Sequence, residues 1–287
     1  MSDAGADSPH LARDEREQAA KHAAPAALVI HEVVREEGEQ ELRKRPVAVW
    51  WSGLAAGMSM GFSFLCMAML GSMLPETSWR HAVASLGYTV GFVITILGRQ
   101  ELFTESTLTA FLPLLVRRDR ATLVTVLRFW AVVLLANLVG TALFALLLSR
   151  PGLFPPAVGA ALGALAKTAL DGAFMFTLLR AVLAGWLIAL MAWMLPSARS
   201  ARFFVILFLT YVVALCSLPH VVAGSVESAY AVLTGAATMA QYFGGFLLPT
   251  LVGNTVGGVA LVAMLNHAPL ADDLKPERSR TDKAPEK

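Results

Sequence analysis

Two polar stretches, GRQELFTES at residues 98–106 and SLPHVVAGS at residues 217–225, interrupt long apolar runs of this sequence. A helix crosses the ~30 Å hydrocarbon core of a bilayer with about 20 apolar residues, and both runs are longer than that. Backbone N–H and C=O groups that lose their partners where a helix is broken are tolerated at membrane depth only inside protein or beside a water-filled cavity. We therefore predict two membrane helices that are broken near the bilayer midplane.

The composition supports a membrane protein. Hydrophobic residues make up 56% of the 287 residues and charged residues only 15%, against about a quarter in soluble domains. Six apolar spans are predicted: Val47–Leu74, Ala82–Leu115, Ala121–Leu148, Ala173–Leu195, Phe203–Leu233 and Phe243–Leu265. The predicted fold class is an all-α polytopic membrane protein with six transmembrane helices, of which the second and fifth are broken.

The spans divide the chain into three parts. Residues 1–46 form a cytoplasmic N-terminal segment with a short helix, residues 47–266 form the transmembrane pore domain, and residues 267–287 form a disordered cytoplasmic tail. Cys66 and Cys216 lie in apolar runs without partners at metal-ligand spacing, so no metal or cofactor is expected. A net charge of +2 gives no reason to expect a nucleic-acid partner.

The positions of Lys and Arg predict the orientation. Basic clusters at residues 43–45, 117–120 and 199–202 fall on one side of the predicted topology. The other side carries fewer cations: Arg80, Arg150, Lys167 and, if it lies at that end of its span, Arg180. Because cytoplasmic loops are enriched in Lys and Arg, both termini should be cytoplasmic.

An internal repeat relates the two halves. Spans three and six share a pattern: ANLVGT at residues 136–141 and GNTVGG at residues 253–258. Thr104 in the first break precedes Asn137 by 33 residues, and His220 in the second break precedes Asn254 by 34. Three spans in each half require opposite insertion, so we predict an inverted 3+3 repeat, which is typical of channels and transporters.

His220 and Thr104 are the leading candidates for function. An ionisable residue inside an apolar span is costly, and His220 follows a proline in a broken helix. Its imidazole would donate to an anion or carry a proton; the alternative is a packed histidine that bonds a carbonyl. Thr104 would face it across the pore and donate a hydrogen bond, or it would cap a helix beside the break.

The charged residues near the breaks need partners. We expect Glu101 and Glu105 to bond loop amides or Arg99, or to lie at a vestibule, and Arg99 is the natural partner for one of them. Glu227 should cap or bond backbone below the second break. Asn137 and Asn254 should bond the freed backbone of the broken helices.

The chain resembles the formate/nitrite transporter family at these positions. The matching segments are ELFT at residues 101–104, ANLVG at residues 136–140, AKT at residues 166–168 and GNTVGG at residues 253–258. The resemblance implies an aquaporin-like fold, a homopentamer with one pore in each protomer, and a bacterial inner-membrane location. It also implies passage of small anionic solutes such as formate, nitrite or hydrosulfide, with proton coupling through the midplane histidine as one mechanism.

The resemblance also assigns roles to single residues. His220 and Thr104 match a histidine and a threonine that face each other, and Leu102 and Phe103 match an apolar constriction beside the threonine. Lys167 matches a lysine of the outer vestibule, although an exposed lysine without a role is the alternative. The chain departs from the family pattern at other positions, which leaves the anion open: Glu105, Gly185 and Pro219.

Three other functions are compatible with some of these features. A channel for neutral solutes would need no ionisable residue at the midplane, and a non-transporting sensor or scaffold would explain the long N-terminal segment. An intramembrane serine hydrolase would need Ser225 within hydrogen-bond reach of a histidine. A pore for weak-acid anions accounts for the most features, and no enzymatic activity is expected.

Overall fold

The computed structural model describes residues 9–22 and 25–270, and the regular structure of these residues is helical throughout. The predicted tail lies outside the described residues from residue 271 onward. Two helices precede the apolar part: α1 (Arg13–His22) and α2 (Ala27–Arg43). Helix α2 is amphipathic, and it buries His31, Val34 and Gly38, which lie on one face because they are three or four residues apart.

Nine further helices and one long C-terminal helical run follow. They are α3 (Pro46–Met73), α4 (Arg80–Leu97), α5 (Phe103–Thr109), α6 (Phe111–Arg117), α7 (Arg120–Leu148), α8 (Pro156–Leu170), α9 (Phe174–Ala198), α10 (Arg202–Leu215), α11 (Ala223–Leu233) and the C-terminal helix (Gln241–Leu270). Within the described part, α3 packs against α4 and α7, and α9 packs in the same way against α10 and the C-terminal helix.

Five helical runs of the described chain are long and apolar enough to cross a membrane, whereas the sequence predicted six spans. They are Pro46–Met73, Arg80–Leu97, Arg120–Leu148, Phe174–Leu215 and Gln241–Leu270. The difference lies in Phe174–Leu215, a single run of 42 residues. Helices α9 and α10 are joined there by only one 3₁₀ turn, Arg199–Ala201, so the predicted fourth span continues into the first part of the predicted fifth.

Helices α4 and α10 end in the same way. The second residue after each helix, Arg99 or Ser217, has a positive φ, of 51° and 48° respectively. The next amide N–H of each segment reaches back across the turn, from Gln100 to the Thr95 carbonyl and from Leu218 to the Val213 carbonyl, each at 2.9 Å. This is a Schellman arrangement, which stops a helix and directs the chain away from its axis.

Glycines allow the closest helix contacts. Gly57 on α3 lies against the carbonyl oxygen of Asn137 on α7, and Gly185 on α9 lies against the carbonyl oxygen of Asn254. Neither position has room for a Cβ atom. Small residues at such crossings let backbones approach closely, as membrane helix packing requires.

We expect Gly57→Ala to lower stability by about 1–3 kcal/mol because the added methyl group overlaps the Asn137 carbonyl. Thermal unfolding in detergent measures the effect. Gly159→Ala on α8 is the matched control, since nothing lies within 4 Å of a Cβ there. Equal melting temperatures for the two variants would contradict the proposed packing.

Candidate functional site

A buried hydrogen bond joins the two halves of the chain. Thr104, the second residue of α5, and His220, in the segment that precedes α11, are 0% and 1% exposed. The Thr104 hydroxyl lies 2.7 Å from Nε2 of His220. The two residues that were predicted to face each other are therefore in direct contact.

The surroundings of His220 define its tautomer. The amide N–H of Ala223 donates to Nδ1 at 3.2 Å, so Nδ1 is an acceptor and the imidazole is neutral. Nε2 then carries the hydrogen and donates it to the Thr104 hydroxyl. The Phe92 ring packs edge-on against the imidazole, with ring centres 5.0 Å apart. The hydroxyl hydrogen of Thr104 is left for a third group.

Asn137 holds the backbone on one side of this pair. Its Nδ2 donates to the carbonyls of Gly53 and Glu101, at 2.8 and 2.9 Å. Its Oδ1 accepts the amide N–H of Phe103 at 2.9 Å. One amide side chain thus bonds both flanks of Leu102, which is 1% exposed, as well as the neighbouring helix α3.

Asn254 does the same on the other side. Its Nδ2 donates to the carbonyls of Ala181 and Pro219, at 2.8 and 3.0 Å, and its Oδ1 accepts the amide N–H of Val221 at 2.8 Å. Here the two bonds to the interrupted segment flank His220. Asn137 bonds both sides of Leu102 and Asn254 bonds both sides of His220, so His220 is the counterpart of Leu102 in the repeat. His220 and Thr104 are therefore in contact although their positions in the two halves are not equivalent.

The charged residues pair differently from the prediction. Glu101, which is 5% exposed, binds the ammonium group of Lys44 at 2.5 Å, and Arg99 lies 3.5 Å from Glu37. Both partners come from α2 or the residue just after it. The predicted pair between Arg99 and a neighbouring glutamate is not formed, because docking of α2 supplies ions that the local sequence does not contain. Glu105 has no hydrogen bond or ion pair to the described residues.

Two cavities approach the buried pair from opposite sides. The α2-side cavity, of about 280 Å³, is lined by Glu41, Lys44, Leu102 and Glu105 among others. The His220-side cavity, of about 400 Å³, is lined by polar groups that include His220 and by the Phe246 ring. The α2-side cavity contacts the C-terminal end of α4 and the N-terminal end of α10, and the His220-side cavity contacts the opposite end of each helix, so the pair lies between the two cavities.

Lys167 and Ser225 lie apart from this arrangement. Lys167 is exposed on α8 and is not among the residues that line the His220-side cavity. The Ser225 hydroxyl donates to the Val221 carbonyl at 2.5 Å rather than to an imidazole, so the chain has no serine–histidine pair there. Among the described residues, no group of three His, Cys, Asp or Glu side chains is arranged to hold a metal ion.

The sequence reasoning missed Glu41 of α2. The Thr109 hydroxyl of α5 donates to Oε2 of Glu41 at 2.6 Å. Burial and the nearby Glu101 carboxylate raise the pKa of the Glu41 carboxyl, and Lys44 offsets this only in part. No sequence signal marks Glu41, because its environment exists only once α2 is docked.

Several long apolar helices and two cavities that meet at a buried hydroxyl–imidazole pair define a class, that of helical membrane channels and transporters. The family model for "Formate/nitrite transporter" matches residues 28–268. The chain therefore belongs to the formate/nitrite transporter family, and it is not an enzyme.

Relatives and solved structures agree with this assignment. The chain is 36% identical over 252 residues to the inner membrane protein YfdC of Escherichia coli (strain K12), covering 88% of this chain and 81% of that protein. It is 24% identical to the uncharacterized transporter YrhG of Bacillus subtilis (strain 168) over 82% of this chain and 90% of that protein. With its family and its long apolar helices, the chain is a multi-pass membrane protein.

Two solved structures share the fold. A structure described as an FNT family ion channel superposes with a TM-score of 0.76 at 22% identity, covering 84% of this chain and 99% of that one. A pentameric formate channel with formate bound superposes with a TM-score of 0.68 at 18% identity, covering 79% and 98%.

We expect Asn254→Asp to destabilise the protein strongly. A carboxylate keeps the acceptor for Val221 but faces the Ala181 and Pro219 carbonyls without a donor, and each unsatisfied buried group costs about 1–3 kcal/mol. Asn266→Asp is the control, since Asn266 is half-buried and makes one bond, to the Val262 carbonyl. Thermal unfolding in detergent measures the melting temperatures of both variants. Similar decreases in melting temperature for Asn254→Asp and Asn266→Asp would contradict the role given to Asn254.

We expect Glu41→Gln to stabilise the protein more at pH 8 than at pH 5. Because the pKa of Glu41 is raised, burying its ionised carboxylate costs folding free energy. This cost is absent below the ordinary pKa of 4.5, increases with pH above it, and is complete above the raised pKa. Each kcal/mol of this cost that the substitution removes should raise the melting temperature by about 2–4 °C. Glu36→Gln on the exposed side of α2 should show no such trend; an equal trend in both variants would refute the assignment.

Proposed function

We propose that the chain is a channel or transporter for small monovalent weak-acid anions of the formate, nitrite and hydrosulfide class. The observation that carries the proposal is the Thr104–His220 pair, buried between two cavities, with a hydroxyl hydrogen that no described group uses. A small anion needs donors at the narrowest point of its path, and a neutral imidazole that polarises a hydroxyl supplies one.

Apolar side chains on both sides of the pair would exclude hydrated ions. Leu102 and Phe103, 1% and 3% exposed, lie before Thr104, and Phe92 and Phe246 lie near His220. Hydrophobic constrictions resist wetting, so a small anion crosses them more easily if it is accompanied by a proton. The name of one similar structure, a pentameric formate channel with formate bound, agrees with this substrate class.

The topology that we propose has six crossings in an inverted 3+3 repeat. Helices α4 and α5 would form a broken second span, and α10 and α11 a broken fifth span. The run Phe174–Leu215, of 42 residues, is twice the length that one crossing needs. The matched bonds of Asn137 and Asn254, and the matched ends of α4 and α10, support the repeat.

Residues 1–46 would then form a cytoplasmic segment, residues 47–266 the pore domain and residues 267–287 a cytoplasmic tail. The Lys and Arg clusters of the sequence support cytoplasmic termini. The α2-side cavity would open to the cytoplasm and the His220-side cavity to the outside. By analogy with the pentameric neighbour, the assembly would be a homopentamer.

A channel for neutral small solutes is the second candidate. The observation that favours it is a carboxyl group in each cavity, Glu105 and Glu227, that has no cationic partner among the described residues. Fixed negative charges at both mouths would repel anions. Uptake of urea or glycerol with no uptake of weak acids would support this candidate over the first.

We expect Thr104→Val and His220→Asn each to slow formate or nitrite uptake into proteoliposomes by about tenfold or more, since a permeant that loses a buried hydrogen bond loses on the order of 1–3 kcal/mol. Stopped-flow measurement of uptake tests this. Thr210→Val is the matched control, because the buried Thr210 hydroxyl bonds only carbonyls of its own helix, α10. Wild-type rates in both pore variants would remove the pair from the transport path.

A further inference from the structure

Glu227 is a polar residue of the His220-side cavity whose role is not explained by the packing. It lies on α11, one turn after Gly224, and the same face of the helix presents both residues to the cavity that His220 lines. The sequence led us to expect that Glu227 caps a helix or bonds backbone. The structure gives its carboxyl group no hydrogen bond and no ion pair with any described residue, so that expectation was wrong.

The groups around Glu227 do not neutralise it. Among the described residues that line this cavity, the Lys or Arg cation is Arg180, which donates to the carbonyl oxygens of Cys216 (3.1 Å) and Ser217 (2.7 Å) just after α10. The other titratable groups that face the cavity come from α4, from the residue after α8 and from the segment before α11: Tyr88, His81, Asp171 and His220. His81 in turn bonds the Leu215 carbonyl.

His220 is poorly placed to exchange a proton with a passing anion. Both of its ring nitrogens are engaged, Nδ1 by the Ala223 amide N–H and Nε2 by the Thr104 hydroxyl. A second proton on Nδ1 would point at the amide hydrogen of Ala223. The imidazole therefore serves as a fixed neutral donor, and a proton that accompanies the anion needs another carrier.

We infer that Glu227 is this carrier: it exchanges a proton with the weak acid in the His220-side cavity, before the acid reaches the Thr104–His220 pair. This inference rests on the proposed transport of weak acids and adds to it the group that couples protons to transport. An unpaired carboxyl group in partly apolar surroundings avoids the cost of its charge by binding a cation or by binding a proton. No ion pair joins Glu227 to a described cation, so binding a proton is the option that remains.

The exchange is a simple acid–base step. The carboxylic acid form of Glu227 breaks its O–H bond and gives the proton to the carboxylate oxygen of an incoming R–COO⁻. The products are neutral R–COOH, which enters the apolar constriction, and the carboxylate form of Glu227, which regains a proton from the aqueous medium on its own side. Passage in the other direction reverses these steps, so each weak-acid anion moves with one proton and no net charge.

The test uses the full chain in proteoliposomes of Escherichia coli polar lipids that contain a pH-sensitive dye. Potassium and valinomycin set the membrane potential, and an inward formate gradient is applied at pH 5.5, 6.5 and 7.5. We expect wild-type formate uptake to carry one proton per formate and to be unaffected by the potential. The rate of proton-coupled formate uptake by Glu227→Gln should be at least tenfold lower at each pH, because an amide cannot exchange a proton as a carboxylic acid does.

Two variants complete the design. Glu227→Asp keeps a carboxyl group and should retain most of the coupled uptake, which separates loss of the proton carrier from loss of packing. Glu76→Gln is the matched control, since Glu76 is exposed in the connection between α3 and α4 and pairs only with Arg80. Melting temperatures of all variants in detergent show whether each is folded.

Wild-type formate uptake that is driven by the potential and carries no protons would overturn the inference while leaving the proposed function intact. This outcome is measured on the wild type alone and does not depend on how any variant folds. Uptake by Glu227→Gln with wild-type rate and proton ratio would overturn it equally. If the wild type transports neither formate, nitrite nor hydrosulfide at any pH, the proposed function itself fails.

Discussion

A helix that stops inside a membrane protein frees backbone groups that must find partners, because hydrocarbon offers none. Asn137 and Asn254 meet this requirement. Each amide side chain makes three hydrogen bonds, one to a neighbouring helix and two to an interrupted segment. The bonds flank Leu102 on one side and His220 on the other. The rest of the site depends on these two anchors, since they determine where the interrupted segments lie.

The anchors bring unlike residues together. If the two halves were chemically symmetric, an imidazole would occur on both sides or on neither. Instead the position that corresponds to His220 holds Leu102, and His220 bonds Thr104 from the other half. Approximate backbone symmetry with asymmetric side chains gives a single polar pair with apolar surroundings. A site for one small polar solute needs this combination: one donor group, and few other groups that hold water.

Features encoded locally were predictable from the sequence. Thr104, His220, Asn137 and Asn254 stood out as polar residues in apolar runs. Their spacings of 33 and 34 residues predicted that the two interrupted segments meet, although Thr104 and His220 are not at equivalent positions. The ion pairs were not predictable in this way. Lys44 and Glu37 reach Glu101 and Arg99 because α2 folds back onto the interrupted segment, and nothing in the local sequence specifies that docking. The span count differs for another reason: only one 3₁₀ turn separates α9 from α10, so the predicted fourth span and the start of the predicted fifth form a single helical run.

A double-mutant cycle on weak-acid flux shows whether Thr104 and His220 act on the permeant as one unit. Formate uptake into proteoliposomes would be compared for the wild type, for Thr104→Val, for His220→Asn and for the double variant. If the two side chains form one donor site, the double variant is no slower than the slower single variant, and the coupling is large. Additive losses would mean that the two residues act independently, and would contradict the account.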